Sequence, residues 1–220
     1  MNNFIVSSSK VKRYAAWFWM IVALFILMNI PAPTTTSISG YSGLDALHEL
    51  ITARWMKYAF VIAYTAAFLW MIWQIAAHLP EKHRWLRWTL WAVIITCLCR
   101  WLYTWLVPVP DFQSAHFRTY QTIQSLTITL YIVSLLWTGY LLIRNYGGRL
   151  RLLGWAILAW QLVPTFLPVL LYFLLSQYDF ISYLWLIEWP LAIYTFWRMR
   201  QVFIPNWEGN GQLTIENGQL

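Results

Sequence analysis

Six long apolar stretches, separated by short polar segments, dominate the sequence. They cover residues 14–30, 55–77, 88–107, 120–143, 152–175 and 180–197. A bilayer core of about 30 Å takes about 20 helical residues to cross. Because the runs are continuous and do not alternate every second position, we expect helices rather than the strands of a membrane barrel. The sequence therefore predicts an all-α polytopic membrane bundle of six transmembrane helices.

The low content of charged residues excludes a water-soluble domain. Charged residues make up 10% of the chain and hydrophobic residues 60%, whereas soluble domains have about 25% charged residues. The formal net charge of +7 does not indicate nucleic acid as a partner, because the basic residues are scattered between apolar runs. The partner that we expect is the lipid bilayer, and the 17 tryptophans are interpreted mainly as anchors at its interfaces.

The basic residues predict the orientation of the bundle, since Lys and Arg resist translocation. Eleven of the fifteen flank one set of span ends: Lys10, Lys12, Arg13, Lys82, Arg84, Arg87, Arg144, Arg149, Arg151, Arg198 and Arg200. The opposite side has only Arg54, Lys57, Arg100 and Arg118. We therefore expect a multi-pass protein of the plasma (inner) membrane with an N-in/C-in topology and both termini in the cytoplasm.

The spans divide the chain into three regions. Residues 1–13 are expected to form a basic cytoplasmic segment, residues 14–204 the transmembrane domain, and residues 205–220 a flexible cytoplasmic tail with a repeated Asn-Gly-Gln-Leu tract. In the first outer loop, apolar residues recur at helical spacing at Leu44, Leu47, Leu50 and Ile51. This pattern predicts a short amphipathic helix at the outer interface.

Two charged residues lie inside the predicted spans. Arg100 is about 10 Å below the outer end of the third span and Glu188 about 12 Å below that of the sixth, at about 1.5 Å per residue. An ionised side chain inside a span costs about 2.5–3.5 kcal/mol on insertion scales. An ion pair between Arg100 and Glu188 would offset this cost. We therefore predict that the two residues pair and that the third and sixth spans are neighbours.

A polar stripe on the fourth span is predicted to lie level with this pair. Its residues are spaced by three or four and so share one helix face: Gln121, Gln124, Thr127, Tyr131, Ser134 and Thr138. Prolines in the fifth and sixth spans suggest interrupted helices of the kind that line cavities. The predicted ligand-binding residues are Arg100, Glu188, Gln124, Thr127, Tyr131, Trp185, Trp189 and Gln161. Polar residues that hold helices together are the alternative interpretation.

Evidence for catalysis or metal binding is weak. Asp45, His48 and Glu49 share one face of the predicted outer helix, either as a metal or acid-base site or as a solvated face. The sequence has no H-E-x-x-H, G-x-S-x-G or Walker A motif, and we predict no cofactor. Cys97 and Cys99 point about 200° apart on a helix and are interpreted as small buried apolar residues.

Three functions remain open from the sequence alone. A small-solute transporter or channel component, with an outward-facing polar and aromatic cavity around Arg100 and Glu188, would explain the charges, the stripe and the prolines together. A non-catalytic membrane scaffold or subunit of a larger complex requires only the topology. An enzyme acting on a lipid or lipid-linked substrate is the third alternative. A small-molecule or lipid ligand, and a homo-oligomer or partner subunit, are compatible with these functions.

Overall fold

The computed structural model describes residues 8–30, 42–79, 84–114, 116–175 and 185–203. The helices in these residues, without any strand among them, are α1 (Ser8–Asn29), α2 (Ser42–Thr52), α3 (Arg54–His78), α4 (Arg84–Leu106), α5 (His116–Asn145), α6 (Gly148–Leu175) and α7 (Trp185–Gln201). The described residues up to Met71 form one compact unit and those from Ile72 onward form a second. The helical fold class is therefore confirmed.

Five of the described helices are long and apolar enough to cross a membrane, which supports an integral membrane protein. They are Lys10–Asn29, Arg54–His78, Arg84–Leu106, His116–Asn145 and Gly148–Leu170, and they correspond to the first five predicted spans. The sixth predicted span falls partly outside the described residues, and α7 has 17 residues, fewer than the roughly 20 that a crossing requires. The count of six and the orientation stay predictions, and the tail lies outside the described residues.

In the first unit, α1 packs against the N-terminal part of α3. The indole N–H of Trp17 donates to the Ala67 carbonyl at 2.8 Å, and Phe25 contacts Tyr64 with ring centroids 5.9 Å apart. Trp17 contacts residue 67 of α3 and Phe25, further along α1, contacts residue 64. The two helices therefore run antiparallel. The short helix α2 (Ser42–Thr52) lies where the sequence predicts an amphipathic helix.

In the second unit, α4 packs on α5, α5 on α6 and α6 on α7. The buried residues of α4 recur at helical spacing: Leu86, Leu90, Val93, Ile94 and Cys97. From α7, Phe196 is fully buried and meets Trp160 of α6 edge to face at 5.6 Å. The Thr195 hydroxyl donates across the same contact to the Ala156 carbonyl at 3.2 Å. These contacts hold the described part of α7 on α6.

Two buried glycines set the distance between α5 and α6. A Cβ atom added to Gly154 would lie 2.6 Å from the Gly139 carbonyl oxygen, and one added to Gly139 would lie 3.1 Å from the Gly154 carbonyl oxygen. The backbones of the two helices therefore touch directly at this point. Close approach through small residues is a common way of packing helices in membranes, where dispersion contacts replace the hydrophobic effect.

Candidate functional site

The candidate site centres on Arg100, which lies on α4 six residues before the helix ends at Leu106. Its guanidinium carbon is 5.7 Å from the centre of the Tyr131 ring on α5 and 5.9 Å from the Trp101 ring. The π face of an aromatic ring attracts a cation, with about 0.5–2 kcal/mol for each favourable contact. Two aromatic rings therefore hold the Arg100 charge at the contact between α4 and α5.

The Arg100 guanidinium points towards the middle of the span and not towards its nearer end. Tyr103 stacks on Tyr120 at 5.5 Å and fixes the level of α4 against α5. Arg100 lies three residues below Tyr103, about 5 Å, whereas Tyr131 lies eleven residues beyond Tyr120, about 16 Å. The two side chains bridge this difference because each leans towards the N-terminus of its own helix, and α4 and α5 are antiparallel.

The predicted ion pair between Arg100 and Glu188 is not formed. Both side chains belong to the described residues, and the contacts of Arg100 are with Tyr131 and Trp101. Glu188 is exposed and lies in the first turn of α7, where the helix dipole favours a negative charge. A depth of about 12 Å for Glu188 counts the helix from residue 180, whereas the described helix begins at Trp185.

The polar stripe of α5 lies mostly on the packed side of the helix. Gln121 is exposed, Gln124, Thr127, Tyr131 and Ser134 are half-buried, and Thr138 is buried. Three hydroxyls of the stripe are satisfied by their own helix, since Thr127, Ser134 and Thr138 each donate to a backbone carbonyl three or four residues earlier. These hydroxyls need no ligand and no neighbouring helix, so the stripe alone does not define a binding site.

The side-chain amide of Gln124 differs from those hydroxyls. It is half-buried and makes no hydrogen bond with any other residue that the structure describes, and it lies on the same α5 face as Tyr131. A side-chain amide both donates and accepts hydrogen bonds, so Gln124 stays a predicted site residue. Arg100 and Tyr131 are the predicted residues that the structure brings into contact.

The predicted site residues of α6 and α7 are not among the described contacts of Arg100. Pro164 and Pro168 lie inside a continuous α6 (Gly148–Leu175), so the expected interruption of this helix is wrong. Each proline removes one backbone N–H and frees the carbonyl four residues earlier. Gln161 and Trp189 are half-buried, and the side chain of Trp185 lies outside the described residues.

The weak metal candidate is not assembled within the described part of the chain. His48 is half-buried and Glu49 exposed, whereas the Asp45 side chain lies outside the described residues. Among the residues that are described, no three His, Cys, Asp or Glu side chains come together as metal ligands. Cys97 is buried but Cys99 is exposed, so the interpretation of both as buried is wrong for Cys99.

Trp101 is the contact of Arg100 that the sequence reasoning missed. The sequence does place a tryptophan directly after an arginine inside a predicted span. Because the chain has 17 tryptophans, this neighbour did not stand out. The resulting group has a cation and two π faces, and no carboxylate of the described residues pairs with the cation. Such a group can bind an anion or carboxylate-bearing molecule. Comparison with known protein families, characterised proteins and solved structures finds no match to the chain.

Proposed function

We propose that this chain is a small-solute transporter or channel component of a plasma (inner) membrane that recognises an anionic solute through Arg100. In this proposal six helices span the bilayer, the sixth at the position that the sequence predicts, and both termini are cytoplasmic. The five long apolar helices support the membrane location, and the uneven distribution of basic residues supports the orientation.

The observation that carries the proposal is the position of Arg100 inside a span and its contact with the Tyr131 ring. A guanidinium inside a span is costly, and here it is directed inward onto Tyr131 instead of outward to the nearer interface. Aromatic contacts stabilise the charge without neutralising it, so an anion can still bind. Arg donates two parallel hydrogen bonds to a carboxylate or phosphate, and these are roughly twice as strong as neutral hydrogen bonds.

The other predicted residues have different roles in the proposal. Gln124 and Thr127 lie on the α5 face of Tyr131 and would contact the uncharged part of the solute. Gln161, Glu188, Trp185 and Trp189 remain proposed ligand-binding residues of α6 and α7. Because Glu188 is exposed at the start of α7, it would act at the entrance and not as the partner of Arg100.

The experiment is an anion-dependent current measurement in proteoliposomes on a solid-supported membrane. Chloride, phosphate, acetate and benzoate are applied in turn, and Arg100→Gln is compared with Arg118→Gln, which removes an exposed charge at the N-terminal end of α5. We expect a current with at least one organic anion, a loss of about tenfold or more in Arg100→Gln, and little change in Arg118→Gln. An unchanged current in Arg100→Gln would refute the proposal.

One observation favours a second candidate, a non-catalytic subunit of a larger membrane complex. Large apolar side chains recur every three or four residues along α4 and are all exposed: Trp85, Trp88, Trp91, Ile95, Leu98, Leu102 and Trp105. Such a stripe fits either lipid or a partner helix. Native mass spectrometry from mild detergent distinguishes them, because a subunit would be recovered with a partner of fixed mass and a lipid-facing monomer would not.

A further inference from the structure

A cleft in the first unit lies between α1 and α3, away from Arg100 in the sequence. It has a volume of about 350 Å³ and is lined by Arg13, Ala16, Trp17, Met20, Ala67 and Trp70. This volume is within the range of about 300–1,000 Å³ that is usual for small-molecule sites. Both helices are candidate membrane spans, so the cleft opens between two segments that are surrounded by lipid.

Two of the residues that line the cleft are held in place by contacts of their own. The Trp17 indole is fixed by its buried hydrogen bond to the Ala67 carbonyl at 2.8 Å, and the Trp70 ring packs on Tyr14 at 5.7 Å. Ala16 and Ala67 also line the cleft and have short side chains. Trp17 and Trp70 therefore form fixed apolar walls of the cleft.

Arg13 supplies the charge at this cleft. It is exposed, and it lies three residues into the candidate span Lys10–Asn29, about 5 Å along the helix and so close to the headgroup level. Neither α1 nor α3 contains Asp or Glu, while Lys10 and Lys12 are exposed nearby. A ligand of this cleft therefore needs a negative group at one end and an apolar body.

We propose that the cleft binds an anionic phospholipid, with its phosphate on Arg13 and one acyl chain between Trp17 and Trp70. Arg binds phosphate through two parallel donors, and the apolar slot accepts a hydrocarbon chain directly from the surrounding bilayer. A water-soluble anion would gain nothing from the apolar walls. The inference does not depend on Arg100, so the two proposals fail or succeed separately.

The test measures which lipids remain bound to the full chain. The protein is purified in mild detergent, incubated with equal amounts of phosphatidylglycerol and phosphatidylcholine of the same acyl chains, and analysed by native mass spectrometry. We expect one phosphatidylglycerol to be retained over phosphatidylcholine by about fivefold or more. Arg13→Gln should bring this ratio close to one, and Arg13→Lys should keep part of the preference.

Two matched controls separate a site from general surface effects. Lys12→Gln removes the same charge one residue away but outside the cleft lining, and it should keep the preference. Ala16→Leu fills the slot and should reduce the retention of both lipids, whereas Ala23→Leu, at an exposed position of the same helix, should not. Equal losses in Arg13→Gln and Lys12→Gln, or unchanged retention in Ala16→Leu, would overturn the proposal. If Arg13→Gln does not accumulate, Arg13→Lys and the two alanine variants decide it by the same criteria.

Discussion

The Lys57 ammonium group donates a hydrogen bond to the Met28 carbonyl at 3.1 Å. It also donates to the carbonyls of Leu27, at 3.4 Å, and Ile30. The last carbonyls of a helix have no partner inside that helix, and its C-terminal end carries a partial negative charge. A lysine of α3 therefore closes the C-terminal end of α1.

Two arginines of the second unit make the same type of contact. Arg87 of α4 donates to the Leu79 carbonyl just after α3 at 2.5 Å, and Arg149 of α6 donates to the Gln201 carbonyl at the end of α7 at 2.9 Å. In the sequence, such residues indicate only the orientation of the membrane spans. In the fold they also satisfy the carbonyls at helix ends, which lipid cannot do.

The first prediction concerns this lysine cap. Lys57→Met keeps the length and apolar character of the side chain but removes the three donors. We expect a loss of about 1–2 kcal/mol of unfolding free energy, because a hydrogen bond to a charged group and its interaction with the helix dipole are lost. The measurement is the midpoint of thermal unfolding in detergent, followed by circular dichroism.

Lys12→Met is the matched control for the cap. It makes the same chemical change at an exposed position near the start of α1. We expect its unfolding midpoint to stay close to that of the unchanged protein. An equal decrease in both variants would mean that the lysine charge, and not the contact with the α1 carbonyls, determines the stability.

Local information in the sequence is enough to predict the helical fold class and the residues that share one face of α5. Span positions follow from hydropathy, so five helices lie where they were expected. Tyr131 was placed with the polar residues of α5 by spacing alone, and it does contact Arg100. Both predictions need only the helical repeat and the cost of polar groups in lipid.

Long-range relationships could not be predicted in the same way. The Arg100–Glu188 pair was inferred from equal depths, but depth depends on where α7 begins, and an aromatic ring can hold the charge instead of a carboxylate. The contact between Gly139 and Gly154 depends on the crossing point of α5 and α6. Gly139 and Gly154 are the two of the nine glycines that lie inside the predicted spans, but no local pattern shows that they face each other.

The second prediction tests the glycine contact between α5 and α6. Gly154→Ala places a Cβ atom 2.6 Å from the Gly139 carbonyl oxygen and 2.9 Å from Leu142 and Ile143. The helices must move apart, and we expect a loss of about 1–3 kcal/mol, as is usual for overpacked sites. Gly139→Ala meets its nearest atoms at 3.1 Å and should lose less. Thermal unfolding in detergent gives the order.

Gly147→Ala is the control for both glycine variants, since a Cβ atom at this position meets nothing within 4 Å. It should unfold close to the midpoint of the unchanged protein. If Gly154→Ala is as stable as Gly147→Ala, the backbones of α5 and α6 are not in contact at Gly154.

The third prediction concerns Gly148, the first residue of α6. Its φ angle is 58°, in the left-handed region where a residue with a Cβ atom loses about 1–2 kcal/mol. Gly148→Ala should therefore lower stability by about this amount, whereas Gly148→Asn should lose less because asparagine tolerates this region better. Gly147→Ala is again the neighbouring control. If Gly148→Ala and Gly147→Ala have the same unfolding midpoint, the prediction is wrong.

The last prediction follows from Tyr146, which lies between α5 and α6. Burial raises the pKa of its phenol from 10.0 to about 12. Between these two pH values the unfolded chain releases this proton while the folded chain keeps it, so stability falls as the pH rises through this interval. Tyr146→Phe cannot release a proton and should show a smaller decrease in unfolding midpoint from pH 10 to about pH 12, the interval between the two pKa values. Parallel curves for the two proteins across that interval would show that the Tyr146 phenol titrates alike in the folded and unfolded chains.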